Sequence, residues 1–450
     1  MKDFKIALPY GAKIIIDVLS RNGYEAYVVG GCVRDSLLGR TPGDWDLTTD
    51  ASPDVVKALF HKTIDTGIEH GTVTVMIAGT GYEVTTYRVD GDYRDHRHPD
   101  KVVFTRSLLE DQKRRDFTIN AMAYNDQEGL KDAFGGAEDL EKRLIRCVGN
   151  PRERFDEDAL RILRAIRFSA QLGFAISEET QEAAKEAAAT LSHVSAERIQ
   201  VELTKMLLAD HPESLLDAYA LGITKVVLPE FDLCMATAQE TPHHKDSVGR
   251  HTVAVIKGVP NDRVLRLAAL FHDMGKPHVK TTDQDGVCHF KGHAAKSCEI
   301  AENVLRRLRF DNDTIRNVCR LVAHHEDYYK ENITPEMVRR MAGELGKDLF
   351  PKFLLLKKAD ILAQSTYKRA WKCENLQKME TFYRDCLANG YAIDKKDLAV
   401  KGRDLIKAGI RPGKQMGEIL DALMDEVLTD PEKNTKSILL ERALVLEKHI

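Results

Sequence analysis

The 450-residue sequence lacks several features that would have placed it quickly, and each absence narrows the field. No apolar run approaches the roughly 20 residues a helix needs to cross a bilayer. The opening Met1-Lys2-Asp3-Phe4-Lys5 leads into only a short apolar stretch without a small-residue cleavage site, so no secretory leader is expected there. The eight cysteines include no CxxC pair, which argues against a zinc site or a disulfide framework. They read as buried or free thiols of a reducing compartment, and a cytoplasmic location is expected. A net charge of −4 excludes a globally basic nucleic-acid binder, so any polyanion must be held by a local patch. Internal repeats and low-complexity linkers are also missing.

What remains is long enough for two to four domains. Arginines and lysines gather in Lys113-Arg114-Arg115 and between Arg152 and Arg167. The first 140 residues mix strand and turn signals. Ala26-Tyr27-Val28-Val29 is an apolar run ending in Gly30-Gly31, with a helical pattern from Cys32 to Leu38 and a second strand expected over Trp45 to Thr49. TVTVMIA (72–78) and YEVTTYR (82–88) flank Gly79-Thr80-Gly81 and predict a hairpin. From about Asp139 strand signals fade, and 157–172, 179–191 and 195–208 carry helical periodicity. Prolines 229, 242, 260 and 277 punctuate the helical remainder. The expected fold class is α+β, an α/β head followed by all-helical segments.

Asp44-Trp45-Asp46, read as strand, places two carboxylates on one face because side chains alternate with period two. Such a pair repels itself unless a cation lies between. Hard oxygen ligands suit Mg²⁺, which completes its shell with water and substrate phosphate. Glu83 on the following hairpin offers a third carboxylate, with an ordinary strand-edge glutamate as the bland reading. Upstream, Gly30-Gly31 lets backbone amides approach an anion, and Arg34 in the first helical turn could reach a triphosphate. A D-x-D or a Gly-Gly alone is weak; together at this spacing they predict a nucleotidyl-transfer site.

GGCVRD (30–35), GRTPGDWDLTT (39–49), RRDFTINAMA (114–123) and EDALRILRAIRF (157–168) resemble the tRNA nucleotidyltransferase and poly(A) polymerase family, and most closely the bacterial class II CCA-adding enzymes. The resemblance extends to GRDLIKAGIRPGKQMGEIL (402–420). It implies a nucleotidyltransferase head (1–140), a helical neck and body with the base-recognition helix and RNA binding (141–240), an HD metal-dependent phosphohydrolase-like domain (241–370) and a helical tRNA-binding tail (371–450). It also implies Mg²⁺ at Asp44 and Asp46, with tRNA, CTP and ATP as partners and no membrane. Gly31 and Arg34 match the family's nucleotide-binding turn. Arg115, Arg164 and Arg167 fall where the family holds the nucleotide, chiefly its phosphates. Asp116 and Asn120 match its second motif, where a structural role for Asp116 is at least as natural as a direct one.

Asp158 and Arg161 fall where the family reads the incoming base, and 157–168 is expected as one helix presenting both on one face. Their chemistry fits that task. Cytosine and adenine both present an exocyclic amino donor beside a ring-nitrogen acceptor, which an aspartate and an arginine complement. Uracil and guanine reverse both groups. The bland alternative is an intrahelical ion pair. Adding A alone, or a poly(A) tail, remains an alternative activity. The segment Asp90 to Phe104 resembles the loop associated with terminal A addition and argues against a CC-only enzyme.

His272-Asp273 closes the apolar stretch LAALFHDMGKP (267–277). With His251 and Asp360 the order H…HD…D resembles the HD phosphohydrolase superfamily, which implies a transition metal at these four residues. His293, with His324 or its neighbour His325, could complete a second metal position; His324 is the first choice. Phosphohydrolysis of RNA ends and a retained scaffold are both open for this module. His243, His244 and His278 are given no role.

Overall fold

The β-branched and aromatic runs of the N-terminal region pair into one mixed sheet. The computed structural model describes residues 5–90, 102–326 and 332–449. Among the described residues, nine short strands run through this region: β1 Ala26–Val29, β2 Leu47–Thr49, β3 Thr63–Gly67, β4 Thr72–Ile77, β5 Thr80–Thr86, β6 Arg88–Asp90, β7 Val102–Phe104, β8 Ala123–Asn125 and β9 Gly129–Lys131. Seven of them form a sheet in the order β3-β4-β5-β2-β1-β8-β9, and β6 pairs separately with β7. All four residues of β1 are buried, as expected of a central strand covered on both faces. It runs antiparallel to β2 and β8, while β2 runs parallel to β5.

The expected hairpin is β4–β5. Its turn uses Ala78 and Gly79, both at positive φ (50° and 86°), the conformation that lets a two-residue connection follow the strands' twist. The second strand is shorter than expected. It begins at Leu47, although the Val29 amide still donates to the Asp46 carbonyl at 2.9 Å, so the ladder reaches the second aspartate. The helix Tyr10–Arg21 buries Ile15, Ile16 and Leu19 on one side and packs on β1 and β5. Of the segment Asp90 to Phe104, residues 91–101 lie outside the described residues, and the loop expected there goes with them.

Beyond the head, the strands seen are two-residue pairs such as Leu144–Ile145 with Ala175–Ile176. The region expected as one helix over 157–168 is two, Pro151–Glu157 and Leu160–Leu172. Asp158 between them is extended (φ −143°, ψ 102°), and its Oδ1 accepts the Leu160 amide at 3.1 Å. A short acidic side chain that caps its own downstream amide competes with helix continuation, which explains the break. Leu160–Leu172 then packs along Ala196–Leu207.

The chain divides into two units, Met1–Pro229 and Glu230–Ile450. The second is largely helical. Val248–Gly258 packs on Arg263–Phe271 and Phe350–Ala363, and His293–Arg307 packs on Asn312–His324. Near the C-terminus, Lys414–Thr429 and Lys436–Glu447 close a separate core that includes Leu405, Ile419, Leu423, Val427 and Leu439, all fully buried. Each of these side chains contributes about 1.5–3 kcal/mol of burial. Among the described residues no helix is long and apolar enough to cross a membrane.

Candidate active site and a candidate metal centre

Strand β1 delivers the chain to Gly30, whose φ of 81° few other residues tolerate; a β-carbon there would also press to 3.4 Å from Arg115 Nη1. The Gly30 amide donates to the Met122 carbonyl at 3.2 Å, and Gly31 opens the helix Gly31–Leu37. On the neighbouring strand, parallel pairing of Leu47 with Val84 sets Asp46 beside Glu83 when the register is extended one residue back. Asp44, Asp46 and Glu83 all keep exposed surface. The Asp46 carboxyl is nevertheless pushed up to about 6, first by the protein that crowds it and then by the charges of Asp44 and Glu83, against the opposing pull of Arg115. One carboxylate whose proton affinity is raised by two neighbouring carboxylates marks a donor set suited to a hard cation.

The arginines are fixed by acids, two of which, Asp111 and Glu202, the sequence did not single out. Asp111, fully buried, pairs with Arg114 at 2.8 Å and Arg115 at 3.3 Å, and also accepts from Thr48 on β2 at 3.3 Å. That residue ties the Arg-Arg motif to the strand that follows the aspartates. Its spacing from Arg114 and Arg115 (i, i+3 and i, i+4) was a usable signal. Arg34 is buried, donates to Asn120 Oδ1 and to Asp35 Oδ1, both at 2.8 Å, and lies 5.1 Å from the Phe168 ring centre. Asn120 in turn donates to Asp116 at 3.2 Å, and Asp116 receives Arg164 Nη2 at 2.6 Å. Burial works to raise Asp116, but Arg164 and its hydrogen bond win and hold it at about 2. Arg167 pairs with buried Glu202 at 2.5 Å and lies 3.8 Å from the centre of the Phe168 ring. Arg164 shares the same ring at 5.4 Å. The structure thus brings Arg34, Asp116, Asn120, Arg164 and Arg167 into one network, in which Asp116 is a structural hub.

The two residues expected to read the base are held differently from the expected helical face. Asp158 Oδ2 accepts from Arg198 at 2.8 Å, and Arg161 pairs with Glu157 at 2.5 Å while donating to the Arg154 and Arg114 carbonyls. Across the helix start, the Arg161 amide bonds the Asp158 carbonyl at 3.0 Å, which keeps the two residues one turn apart.

In the second unit, five elements converge on a buried cluster of imidazoles and carboxylates. His251 lies on Val248–Gly258, His272 and Asp273 follow Arg263–Phe271, His293 opens His293–Arg307, and Asp360 lies on Phe350–Ala363. The fifth is the end of Asn312–His324, and here the structure corrects the expectation. His325, not His324, enters the cluster. One helical residue turns a side chain by about 100°, and the Nδ1 of His325 bonds the Val322 carbonyl at 2.6 Å, so its Nε2 points to Asp273.

Two groups of three ligand atoms result: His251, His272 and Asp360; and Asp273, His293 and His325, each group's atoms lying within 4.8 Å of one another. Asp273 links them, with Oδ2 at 3.3 Å from His272 Nε2 and Oδ1 at 3.2 Å from His293 Nε2. His251 Nε2 is 3.2 Å from Asp360 Oδ1. His272 and His293 also hold their Nδ1 atoms against carbonyls, of Ala269 at 2.7 Å and Phe290 at 2.8 Å. Outer carbonyls of this kind fix ring orientation and leave Nε2 as the metal-facing atom. Burial would raise Asp273 and Asp360, yet the surrounding His272, Lys276, Lys357 and His251 hold both carboxyls well below the ordinary range. A cavity of about 360 Å³ opens on the cluster, lined also by His243, Phe290, Lys276, Lys357 and Gln364.

Comparison with known proteins agrees with the head's geometry. Residues 26–146 match the Poly A polymerase head domain, 173–235 the RNA and SrmB-binding site of polymerase A, and 292–443 tRNA nucleotidyltransferase domain 2. A CCA-adding enzyme of Limosilactobacillus reuteri is 37% identical over 439 residues, spanning 97% of this chain and 96% of the relative. One of Geobacillus thermodenitrificans is 57% identical over 193 residues, 43% of this chain and 48% of the relative. The crystal structure of the Bacillus stearothermophilus CCA-adding enzyme in complex with CTP superposes with a TM-score of 0.73 at 30% identity, covering 98% of this chain and 99% of that one. Near-complete coverage by the Limosilactobacillus reuteri and Bacillus stearothermophilus enzymes leaves one assignment: this chain belongs to the CCA-adding enzyme family of tRNA nucleotidyltransferases.

Proposed function

We propose that the chain adds CCA to the 3′ end of tRNA from CTP and ATP without a template. The observation that carries the reading is the carboxylate trio Asp44, Asp46 and Glu83 beside a network of anchored arginines. In the reaction the tRNA 3′-hydroxyl attacks the α-phosphorus; the new P–O bond forms as the bond to the β-phosphate oxygen breaks and pyrophosphate leaves. Mg²⁺ is the cation we assign to Asp44 and Asp46, with Glu83 beside them; when bound, it lowers the hydroxyl's pKa and neutralises developing charge. The chain's own part is positioning. The Gly31 amide and the guanidiniums of Arg34, Arg115, Arg164 and Arg167 hold the triphosphate in line. Asp158 accepts from the amino group of C or A and Arg161 donates to the ring nitrogen; for that, each gives up part of its present pairing with Arg198 and Glu157. The domain limits 1–140, 141–240, 241–370 and 371–450 and a cytoplasmic location belong to the same reading.

The test is incorporation. The protein is given tRNA ending before CCA, or after CC, with single nucleoside triphosphates and Mg²⁺. C followed by A is the expected result; A alone onto the CC end identifies an A-adding enzyme, repeated A a poly(A) polymerase, and no incorporation sinks the proposal. Asp46→Ala should lower transfer by about a hundredfold or more, while tRNA still binds in a gel-shift assay.

A second activity is favoured by the paired ligand groups. Imidazole nitrogens with carboxylates suit a transition metal, and the carbonyl-braced rings fit that role. His251, His272 and Asp360 would hold one ion, and Asp273, His293 and His325 another. Metal held by these residues would activate water and offset phosphate charge, so we assign this cavity to phosphohydrolysis.

A further inference from the structure

The segment that leaves the C-terminal cavity is Gln364-Ser365-Thr366-Tyr367-Lys368-Arg369-Ala370-Trp371-Lys372. It starts inside. Gln364 lines the cavity and donates to Asp360 Oδ1 at 2.8 Å. Lys372 returns to the same place, donating to Gln364 Oε1 at 2.5 Å and approaching His243 Nδ1 at 3.0 Å. Between these anchors the chain passes over the rim. Tyr367 packs edge-on against His243, a cavity-lining residue, with ring centres 4.9 Å apart. Its remaining surface is 44% exposed. Lys368 Nζ stands 5.5 Å from the Tyr367 ring centre. Trp371, in the first turn of the helix Arg369–Ala388, is 36% exposed.

An indole and a phenol left in water forgo much of the apolar burial that usually retains such residues. Here they flank the exposed Lys368, while Arg369 is half-buried against the Leu362 and Gln364 carbonyls and Lys372 is buried. That combination answers a nucleic-acid single strand: unpaired bases offer π-faces to the rings, and a phosphate meets the exposed Lys368. A duplex offers no free face to stack. The cavity, at about 360 Å³, has the size of a site for one small ligand and not for a chain. A strand whose terminal phosphate enters it must lay its next bases outside, over this rim.

We propose that Tyr367, Trp371 and Lys368 form a stacking platform at the cavity mouth that selects single-stranded RNA ending in a phosphate monoester. The proposal rests on the phosphohydrolase reading of the cavity for its biological sense, but the binding it describes is measurable without it. Trp45 and Trp371 are the two tryptophans of the sequence. In the full-length Trp45→Phe protein, Trp371 fluorescence therefore reports the platform alone. A five-nucleotide oligoadenylate with a 3′-phosphate should quench it saturably. Tyr367→Ala should weaken that binding about tenfold, and ribose 5-phosphate or the same sequence in a duplex should leave the indole unquenched. Absence of quenching, or quenching indifferent to Tyr367→Ala, overturns the platform and leaves the exposed rings to a protein partner.

Catalysis gives an independent arm with Mn²⁺ or Co²⁺ supplied. Relative to wild type, Trp371→Ala should lower the ratio of kcat/KM on the oligonucleotide to that on p-nitrophenyl phosphate about tenfold, and Trp371→Phe should restore most of it. An unchanged ratio refutes base stacking. If wild type hydrolyses neither substrate, the phosphohydrolase reading fails, and the fluorescence titration alone decides the platform.

Discussion

Replacing Asp116 with asparagine separates the scaffold of the head site from its chemistry. The carboxylate receives Arg164 Nη2 at 2.6 Å and Nε at 2.8 Å, the Asn120 side chain at 3.2 Å and the Phe117 amide at 2.8 Å. Its pKa falls from 3.8 to about 2 on folding. Because the folded value is depressed, the charged carboxylate stabilises the fold at pH above about 4, and that contribution disappears as pH falls toward 2. Linkage gives about 2.4 kcal/mol at pH 6 and about 1.3 kcal/mol at pH 3. These are upper bounds, since the Arg164 side chain is 34% exposed and solvent screens the pair. Urea unfolding of wild type and Asp116→Asn at the two pH values should therefore show a gap that narrows by about 1 kcal/mol on acidification. The chain's two units can unfold separately, so the comparison belongs to the transition assigned to the first unit. With Arg164 and, through Asn120, Arg34 both loosened, KM for CTP and ATP should rise together at neutral pH. A gap independent of pH, or KM values unmoved despite a lower midpoint, would refute the hub assignment.

Three further outcomes follow from other parts of the molecule. Asp158→Ala should relax the preference for C and A over U and G in single-nucleotide incorporation, and unchanged selectivity removes the base-reading role. Gly30→Ala places a β-carbon at φ 81° and 3.4 Å from Arg115; it should cost about 1–2 kcal/mol in unfolding experiments and raise KM for both nucleotides, whereas wild-type behaviour would show that the turn relaxes freely. His272→Ala should reduce transition-metal content measured on the purified protein while leaving CCA addition intact; equal metal content contradicts the proposed ligand set.

Short-range signals made the head legible. A Gly-Gly after an apolar strand, a D-x-D at the next strand's start and a β4–β5 hairpin around Ala78-Gly79 are all local, and the α+β class follows from where strand patterns stop. Pairings across long separations were not legible. Arg167 finds Glu202 and Asp158 finds Arg198, 35 and 40 residues away, and no periodicity announces either. The break at Asp158 was hidden for a different reason: apolar periodicity runs through it, and a single local hydrogen bond to the Leu160 amide overrides the pattern. His324 and His325 are equivalent as letters. They differ by about 100° of helix rotation, and the packing that sets that rotation is tertiary. Strand β3 and the β8–β9 pair escaped because five- and three-residue strands carry too little alternation to register.

On the proposed reading, the arginine network also accounts for how a protein of net charge −4 would hold a triphosphate. Arg34, Arg164 and Arg167 lie between 3.8 and 5.4 Å from the centre of one ring, Phe168, and each has an acidic or amide partner of its own. Like charges so close would repel in isolation. Asp35, Asp116 and Glu202 offset that repulsion before any ligand arrives, and the ring contributes about 0.5–2 kcal/mol per cation. Because the guanidiniums are already ordered, nucleotide binding does not have to immobilise three long side chains, each of which would otherwise cost about 0.5–1.5 kcal/mol. On the proposed reading, the local patch that the acidic composition demanded is a set of arginines whose charge is balanced by acids already in place.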